Sequence, residues 1–391
     1  MSKYEQVALG ILVSEYSERN RTLACKDVYS VTNSQGFMPS SDYFSKEVFS
    51  KYISTYKTVH RGMFAYNPSR VNVGSLAWLK DKDTVVVSPL YVVFKVEESK
   101  VHQQLLEYYL HSDLAIAQIR SLTSGSVRDS LKFSALARIV IPLPPLEQQQ
   151  QIIEALDCIS EVIKKRRKQM AVLDKLITDT FIDMFGKGEF EKVYAEDVCG
   201  FITKGTTPPT KQIYTENNGD YIPYLKVYNL SANGELLFWD EPQYIDKSVH
   251  NGVLARSIVY PNDILMNIVG PPLGKFALVN DEFPEWNVNQ AIAIFRSKER
   301  INHLYLLYAL MQSSVLKPLL ESAVGIRQLN LNLQQCRKLE IQLPPMDLQI
   351  RFASVVENIH KQKSCLKASL AELETTYKST LQKAFNGELF Q

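Results

Sequence analysis

The sequence is short of the residues that carry common chemistries. Five cysteines lie scattered at positions 25, 158, 199, 336 and 365 of 391, and no two are spaced as Cys-x-x-Cys. An odd, dispersed set argues against a disulfide framework and against a structural zinc site. The six histidines are dispersed as well. No run reaches the ~18 consecutive apolar residues of a membrane helix. The opening MSKYEQVALGILVSEYSERN has no long apolar stretch after its basic residue, unlike a secretory leader. These absences read together as a reduced, cytoplasmic protein that engages no membrane. Charge is nearly balanced, with 44 Lys and Arg against 42 Asp and Glu for a net +2, which neither advertises nor excludes nucleic acid.

Catalytic signatures are missing too. NPSR (67–70) approaches the Asn-Pro-Pro-aromatic motif of amino-methyltransferases but lacks the second proline and the aromatic residue. GPPLGKF (270–276) is too short between its glycines for a phosphate loop, and Phe276 stands where Ser or Thr belongs. No HExxH, GxSxG or paired-Cys deaminase pattern occurs. The chain reads as a non-enzyme with neither a metal nor a cofactor of its own.

What is present is a repeat. IPLPPLEQQQQI begins at Ile141 and IQLPPMDLQIRF at Ile341, an offset of 341 − 141 = 200. At that offset Gly125 meets Gly325, Leu131 meets Leu331, and Leu106, Tyr108 and Leu110 meet Leu306, Tyr308 and Leu310. Asn67, Gly74 and Ala77 likewise meet Asn267, Gly274 and Ala277, and before about residue 60 the register is lost. A constant offset over so long a stretch indicates internal duplication. Hydrophobic residues make up 45% of the chain and charged ones 22%, enough for real cores, and the length suits two or three domains. Tyrosine is abundant, at 20 residues, and serves interfaces as well as cores.

Each half divides in two. Globular parts over 1–140 and 189–340 carry short β-type runs such as TVVVSPLYVVFKV (84–96) and AIAIFRS (291–297), broken by Gly, Pro and Asn. A helix near 101–120, with its copy near 301–320, closes each one. The remaining parts, 141–188 and 341–391, read as long helices. Pro144 and Pro145 stop a strand and open a helix, with Glu147 and its copy Asp347 in the first turn, where the helix dipole favours an acid.

The apolar steps then alternate four and three: Ile152, Leu156, Ile159, Ile163, Arg166, Met170, Leu173 and Ile177 in the first helix. In the second they are Phe352, Val356, Ile359, Lys363, Leu366, Leu370, Leu373 and Tyr377. That is a coiled-coil seam with one basic residue in each copy; the plainer alternative is an amphipathic helix packed on its own domain. Gly186 and Asn386-Gly387 are natural stops. A helix over 146–185 would be about 60 Å long, or about 18 base pairs of duplex. Two of them lying antiparallel would hold the globular parts apart as a ruler holds two reading heads. The predicted fold is therefore α+β: two tandem globular α/β domains, an antiparallel coiled coil of two long helices, and a pseudo-twofold internal repeat.

The motif set IxLPPLxxQ, a long heptad helix, then FxGE, occurring twice, resembles the specificity (S) subunit of type I restriction-modification enzymes. The carrying residues are IPLPPLEQQ with FGKGE (185–189), and IQLPPMDLQ with FNGELF (385–390). GMFAYNPSRVNVGS (62–75) and GDYIPYLKVYNL (219–230) are similar to that family's target-recognition domains. In the second copy, Met346 and Leu348 replace more usual residues. The resemblance covers essentially the whole chain. It implies that each recognition domain reads one half of a split double-stranded DNA target, while the helices set the gap and dock two methyltransferase (M) subunits. S-adenosylmethionine would sit on those subunits. ATP and Mg would sit on two restriction (R) subunits where the system carries them.

Base reading requires Arg or Lys for guanine, Asn or Gln for adenine, and Ser or Thr as adaptable partners. In the first domain the candidates are Thr32, Asn33, Gln35, Tyr56, Lys57, Asn67, Ser69, Arg70 and Asn72. In the second they are Lys204, Thr206, Thr207, Thr210, Lys211, Lys226, Tyr228 and Asn229. The alternative is that such Asn and Ser side chains simply form turns, and Asn67, matched by Asn267, leans that way. KKRRK (164–168) suggests DNA, but a solvated helix face or a partner contact explains it as well. Residues 1–140 hold 17 basic and 13 acidic side chains (+4), while 191–340 hold 14 and 16 (−2). Affinity for DNA rests on phosphate neutralisation, so the chain alone is expected to bind weakly and its partners to supply much of the grip. Two other classes stay open: a coiled-coil scaffold without DNA specificity, and a methyltransferase with a disguised site.

Overall fold

The computed structural model describes residues 3–33, 35–43, 52–123, 130–323 and 329–390. The Gly125–Gly325 match of the repeat lies outside them, as does Ser34 of the 31–37 loop. The chain forms two compact units: residues 1–167 with 368–391, and residues 168–367. Each contains one globular region and a stretch of each long helix, Leu146–Phe185 and Met346–Asn386.

Among the described residues the first unit has ten strands: β1 (Glu5–Ala8), β2 (Val13–Tyr16), β3 (Tyr29–Thr32), β4 (Gly36–Pro39), β5 (Lys57–His60), β6 (Phe64–Tyr66), β7 (Leu76–Trp78), β8 (Thr84–Val87), β9 (Val92–Val96) and β10 (Val140–Leu143). A four-stranded sheet runs β2-β9-β6-β7, all pairs antiparallel, beside the two-stranded pairings β3-β4, β5-β8 and β1-β10. Phe64 stacks on Phe94 at 5.0 Å across β6 and β9, and both are fully buried with Leu105, Leu106 and Tyr109 of the helix Gln103–Leu110.

The described residues of the second unit form eleven: β11 (Glu191–Tyr194), β12 (Cys199–Lys204), β13 (Ile213–Tyr214), β14 (Ile222–Leu225), β15 (Tyr244–Ile245), β16 (Ile258–Val259), β17 (Ile264–Asn267), β18 (Phe276–Leu278), β19 (Trp286–Val288), β20 (Ile292–Ser297) and β21 (Glu340–Leu343). Its four-stranded sheet, β12-β20-β17-β18, repeats the order of the first unit's sheet strand for strand. β11 pairs with β21 as β1 pairs with β10, with Val193 opposite Ile341 and Val7 opposite Ile141. Where the first unit has two short hairpin-like pairs, the second builds a five-stranded sheet, β13-β15-β14-β19-β16.

The repeated Pro-Pro motif is a joint. The Gln149 side chain is fully buried; it donates to the Pro144 carbonyl at 2.9 Å and the Lys100 carbonyl at 3.0 Å, and accepts from the His102 amide at 2.9 Å. Gln349 does the same in the second unit, donating to the Pro344 carbonyl at 2.8 Å and accepting from the Asn302 amide at 2.8 Å. Each glutamine thus satisfies backbone groups orphaned where a strand gives way to a helix and where a second helix begins. The prolines stop the strand, and the glutamine ties the long helix to its domain.

In each unit the stretches of the two long helices run antiparallel. Ile152 and Leu156 share a core with Ala384, Phe385 and Leu381 in the first unit, where Tyr109 meets Phe385 at 4.9 Å. Ile177, Phe181 and Phe185 share one with Phe352, Val356 and Ile359 in the second. Phe185 meets Tyr305 at 4.9 Å and Phe352 at 5.7 Å. Each such ring buried contributes roughly 1.5–3 kcal/mol. The fourteen apolar seam positions from Ile152 to Ile177 and from Phe352 to Tyr377 are all buried or half-buried, and so is Arg166, while Lys363 is fully buried. The first helix ends at Phe185, immediately before Gly186. The second ends at Asn386, where Gly387 takes φ +75° and its amide donates back to the Ala384 carbonyl.

Candidate nucleic-acid interface

In the first unit the structure brings the 31–37 and 66–75 loops together. The β3-β4 turn is closed by Thr32, whose buried hydroxyl accepts from the Gln35 amide at 3.0 Å and donates to the Gly36 carbonyl at 3.3 Å. That leaves Asn33 and Gln35 exposed at its tip. Ser75 donates to the Val31 carbonyl at 2.6 Å, tying the neighbouring loop to the hairpin. In that loop the Asn67 side chain accepts from the Ser69 amide at 3.1 Å, an Asx turn, and the Arg70 amide donates to the Asn67 carbonyl. Ser69 and Arg70 are exposed and Asn72 is half-buried. Thr32 and Asn67 thus shape the loops, and Asn33, Gln35, Ser69, Arg70 and Asn72 are displayed on them.

Tyr56 is buried. Lys57, at the start of β5, donates to the Tyr91 carbonyl at 2.7 Å. Burial holds its pKa below the usual lysine range; Glu15 opposes this and Arg19 adds to it. Tyr91 links this position back to the hairpin, because its hydroxyl accepts from the Val31 amide at 3.4 Å.

In the second unit the 203–211 and 225–229 loops converge on one segment, 287–292. Gly205 donates to the Ile292 carbonyl at 2.9 Å and Thr206 to that of Val288 at 3.1 Å, while Asn289 donates to the Leu225 carbonyl at 3.0 Å. Gly205 is required there: a Cβ would sit 2.0 Å from the Asn289 carbonyl oxygen and 2.3 Å from that of Val288. The Thr207 hydroxyl accepts from the Gln290 amide at 3.3 Å. Arg256, which the sequence reading passed over, donates from Nε to the Thr206 hydroxyl at 3.0 Å. Its neighbour Ser257 is held in place by Asn287, whose side-chain amide donates to the Ser257 carbonyl at 3.0 Å and to that of Leu254 at 3.2 Å.

Lys204, Thr207, Thr210, Lys211 and Tyr228 are exposed, and Lys226 and Thr206 are half-buried. Asn229 is fully buried: its Oδ1 accepts from the Lys226 amide at 2.9 Å and its Nδ2 donates to the Leu237 carbonyl at 3.0 Å. Like Thr32, it builds the loop that others are displayed on.

The basic run on the first long helix is mostly exposed. Lys164 pairs with Glu161 along the helix, and Arg167 donates to Glu374 of the second helix at 2.7 Å, within the first unit. Among the described residues no group of three or more His, Cys, Asp and Glu could hold a metal ion, and no helix is long and apolar enough to cross a membrane.

Comparison with known proteins adds a second line of observation. The sequence profile of the type I restriction modification DNA specificity domain matches this chain twice, over residues 23–171 and 187–375. The chain is 24% identical over 302 residues to the type I restriction enzyme MjaVIII specificity subunit of Methanocaldococcus jannaschii, covering 72% of this chain and 70% of that one. It is 24% identical over 326 residues to the EcoBI specificity subunit of Escherichia coli, covering 75% and 67%. Its fold is similar to that of a chain solved in work on complex assembly and conformational transition of the type I R-M system, with a TM-score of 0.56 at 18% identity over 99% and 98% of the two chains. It is also similar to the type I S subunit of M. genitalium, with a TM-score of 0.53 at 13% identity over 98% and 96%.

Proposed function

Because the chain belongs to the type I restriction-modification DNA specificity family, and so is the non-catalytic specificity subunit of such a complex, we propose that its two recognition domains each read one half of a bipartite double-stranded target. The observation that carries this reading is the duplication. Two sheets of identical strand order, each tied by a buried glutamine to a long helix, present two separate groups of exposed polar side chains. A single continuous site has no need of two such platforms.

Asn33, Gln35, Ser69, Arg70 and Asn72 read the first half, flanked by Lys57. Lys204, Thr207, Thr210, Lys211, Lys226 and Tyr228 read the second, joined by Arg256. Thr32, Tyr56, Asn67, Thr206 and Asn229 position those loops from within. The two long helices set the gap and dock two methyltransferase subunits, which carry S-adenosylmethionine; restriction subunits, where present, carry ATP and Mg. The complex works in the cytoplasm, where host DNA is.

Co-expression with the methyltransferase encoded beside it, followed by mapping N6-methyladenine over host DNA, tests this reading. The expected result is one motif with two short defined halves around a fixed gap. Methylation by an active, bound partner without a split motif would overturn it.

A further inference from the structure

One exposed loop of the first unit was not among the sequence candidates. It spans residues 17–28, between β2 and β3. Its place in the fold matters, because β2 occupies the same position in its sheet as β12 does in the other. The loop after β12 is 205–212, already placed among the second domain's reading loops. The duplication therefore assigns the 17–28 loop to the corresponding place in the first domain.

The loop is rigid where it needs to be. Asn20 is buried; its side chain donates to the Cys25 carbonyl at 2.7 Å and accepts from the Cys25 amide at 3.2 Å, closing the turn. Its backbone amide donates to the Tyr56 carbonyl at 2.9 Å, beside Lys57, and the Val86 amide donates to the Asp27 carbonyl at 2.9 Å. At the tip Leu23 is held at φ +55°, with its amide donating to the Asn20 carbonyl, and the residue is 49% exposed. A leucine in the left-handed region is uncommon and strained, and an exposed one gains nothing from the protein core to offset it.

Arg19 and Arg21 stand on either side of Asn20, both exposed, with no ion pair or side-chain hydrogen bond among the described residues. The acids at the base are engaged elsewhere, Glu18 with Tyr16 and His60, and Asp27 with Lys82 at 3.7 Å. Free cations beside a fixed apolar tip form a surface complementary to duplex DNA: arginines for phosphates, and an apolar side chain for the bases between them.

We propose that the 17–28 loop contacts the first half-site, with Leu23 pressed against its bases and Arg19 and Arg21 on the flanking phosphates. Leu23 is then a specificity-determining residue, and the arginines are positioning residues. The inference rests on the bipartite reading above, and the test separates the two.

The complex of this chain with its methyltransferase partner is titrated with three duplexes: the mapped motif, the motif with its first half scrambled, and the motif with its second half scrambled. The wild-type complex should discriminate against both scrambled duplexes. Leu23→Gly suits the backbone at φ +55°, so the chain keeps its melting temperature or gains slightly. Its discrimination at the first half-site should fall roughly tenfold, with that at the second unchanged. Arg21→Ala should weaken binding to all three duplexes alike and flatten the salt dependence. Unchanged first-half discrimination in Leu23→Gly, or an equal loss at both halves, would overturn the assignment of Leu23 while leaving the bipartite reading intact. A wild-type complex without discrimination at either half would overturn both.

Discussion

Replacing Lys363 should destabilise the second unit by breaking a buried charge network at the helix seam. Its ammonium is almost fully buried at a seam position, where the first helix has Ile163 one repeat earlier. It pairs with Asp174 of the first helix and Glu235 of the globular region; Lys367 adds a second contact to Glu235 at 2.7 Å, and Asn233 donates to Asp174 at 3.2 Å. In Lys363→Met both carboxylates lose their main counter-charge. Breaking a buried ion pair costs about 3–5 kcal/mol. The carboxylate side chains, however, are 32% and 21% exposed, so water reaches them and the cost falls to about 2–3 kcal/mol.

For a unit of this size that is roughly 5–10 °C in the melting transition. Calorimetry of the two chains at pH 7 measures it. Adding Asp174→Asn to the variant should recover part of the loss by removing the carboxylate left without a cation, since Glu235 keeps Lys367.

The pH dependence carries a sign. Burial pushes the Glu235 carboxyl up, but hydrogen bonds and charge from Lys363 and Lys367 outweigh it and leave the pKa below its ordinary 4.5. Burial pushes Lys363 down, and its two acid partners leave it above its ordinary 10.5. The network's contribution is therefore present between those two ordinary values. It is lost as pH falls through the depressed value of Glu235, or rises through the elevated value of Lys363. The gap between wild type and Lys363→Met should be wide at pH 7 and shrink below pH 4. A melting shift under 2 °C at pH 7, or a gap independent of pH, would show that the carboxylates are solvated and that the reasoning fails.

Other consequences are open to direct measurement. Arg70→Ala should relax the mapped motif at the first half-site, at a cost of about 1–3 kcal/mol in binding, and leave the second half unchanged; an unaltered motif in a methylation map refutes it. Gly205→Ala forces a Cβ into two carbonyl oxygens and should cost about 1–3 kcal/mol of stability, with discrimination lost at the second half-site only; equal melting and equal discrimination would refute it. With −2 on residues 191–340, the chain alone should bind DNA far more weakly than its complex with methyltransferase subunits, and equal affinity at matched salt refutes that.

The long helices were legible in the sequence because the heptad rule depends only on spacing. Steps of three and four predict which side chains face inward whatever the partner is, and Pro-Pro at one end and Gly at the other supply the bounds. The sheets were legible only as a class. Strands of two to six residues carry too little periodicity to bound one by one, and their pairing is decided by long-range contacts that no local pattern contains. The loop candidates were a mixture for the same reason. Thr32 and Asn229 have the composition of base readers, yet each spends its polar atoms on nearby backbone, Thr32 within its own turn and Asn229 on its turn and the Leu237 carbonyl. Composition alone does not distinguish a side chain displayed by a loop from one that builds it.

The 17–28 loop has no counterpart at the offset of 200, because the halves lose that register before about residue 60. Glu5 and Val7 of β1 align with Glu191 and Val193 of β11 at an offset of 191 − 5 = 186. The offset of 200 returns by Asn67 and Asn267. The difference of fourteen residues falls in the stretch where the second unit has its larger sheet. The core strands keep their order in both halves, because a one-residue slip would turn buried side chains outward, whereas surface connections tolerate changes in length. With two offsets joined by a gap, the loop after β2 pairs with the loop after β12. Loss of register in a duplicated chain thus marks the segments outside the shared core, where length is free to change.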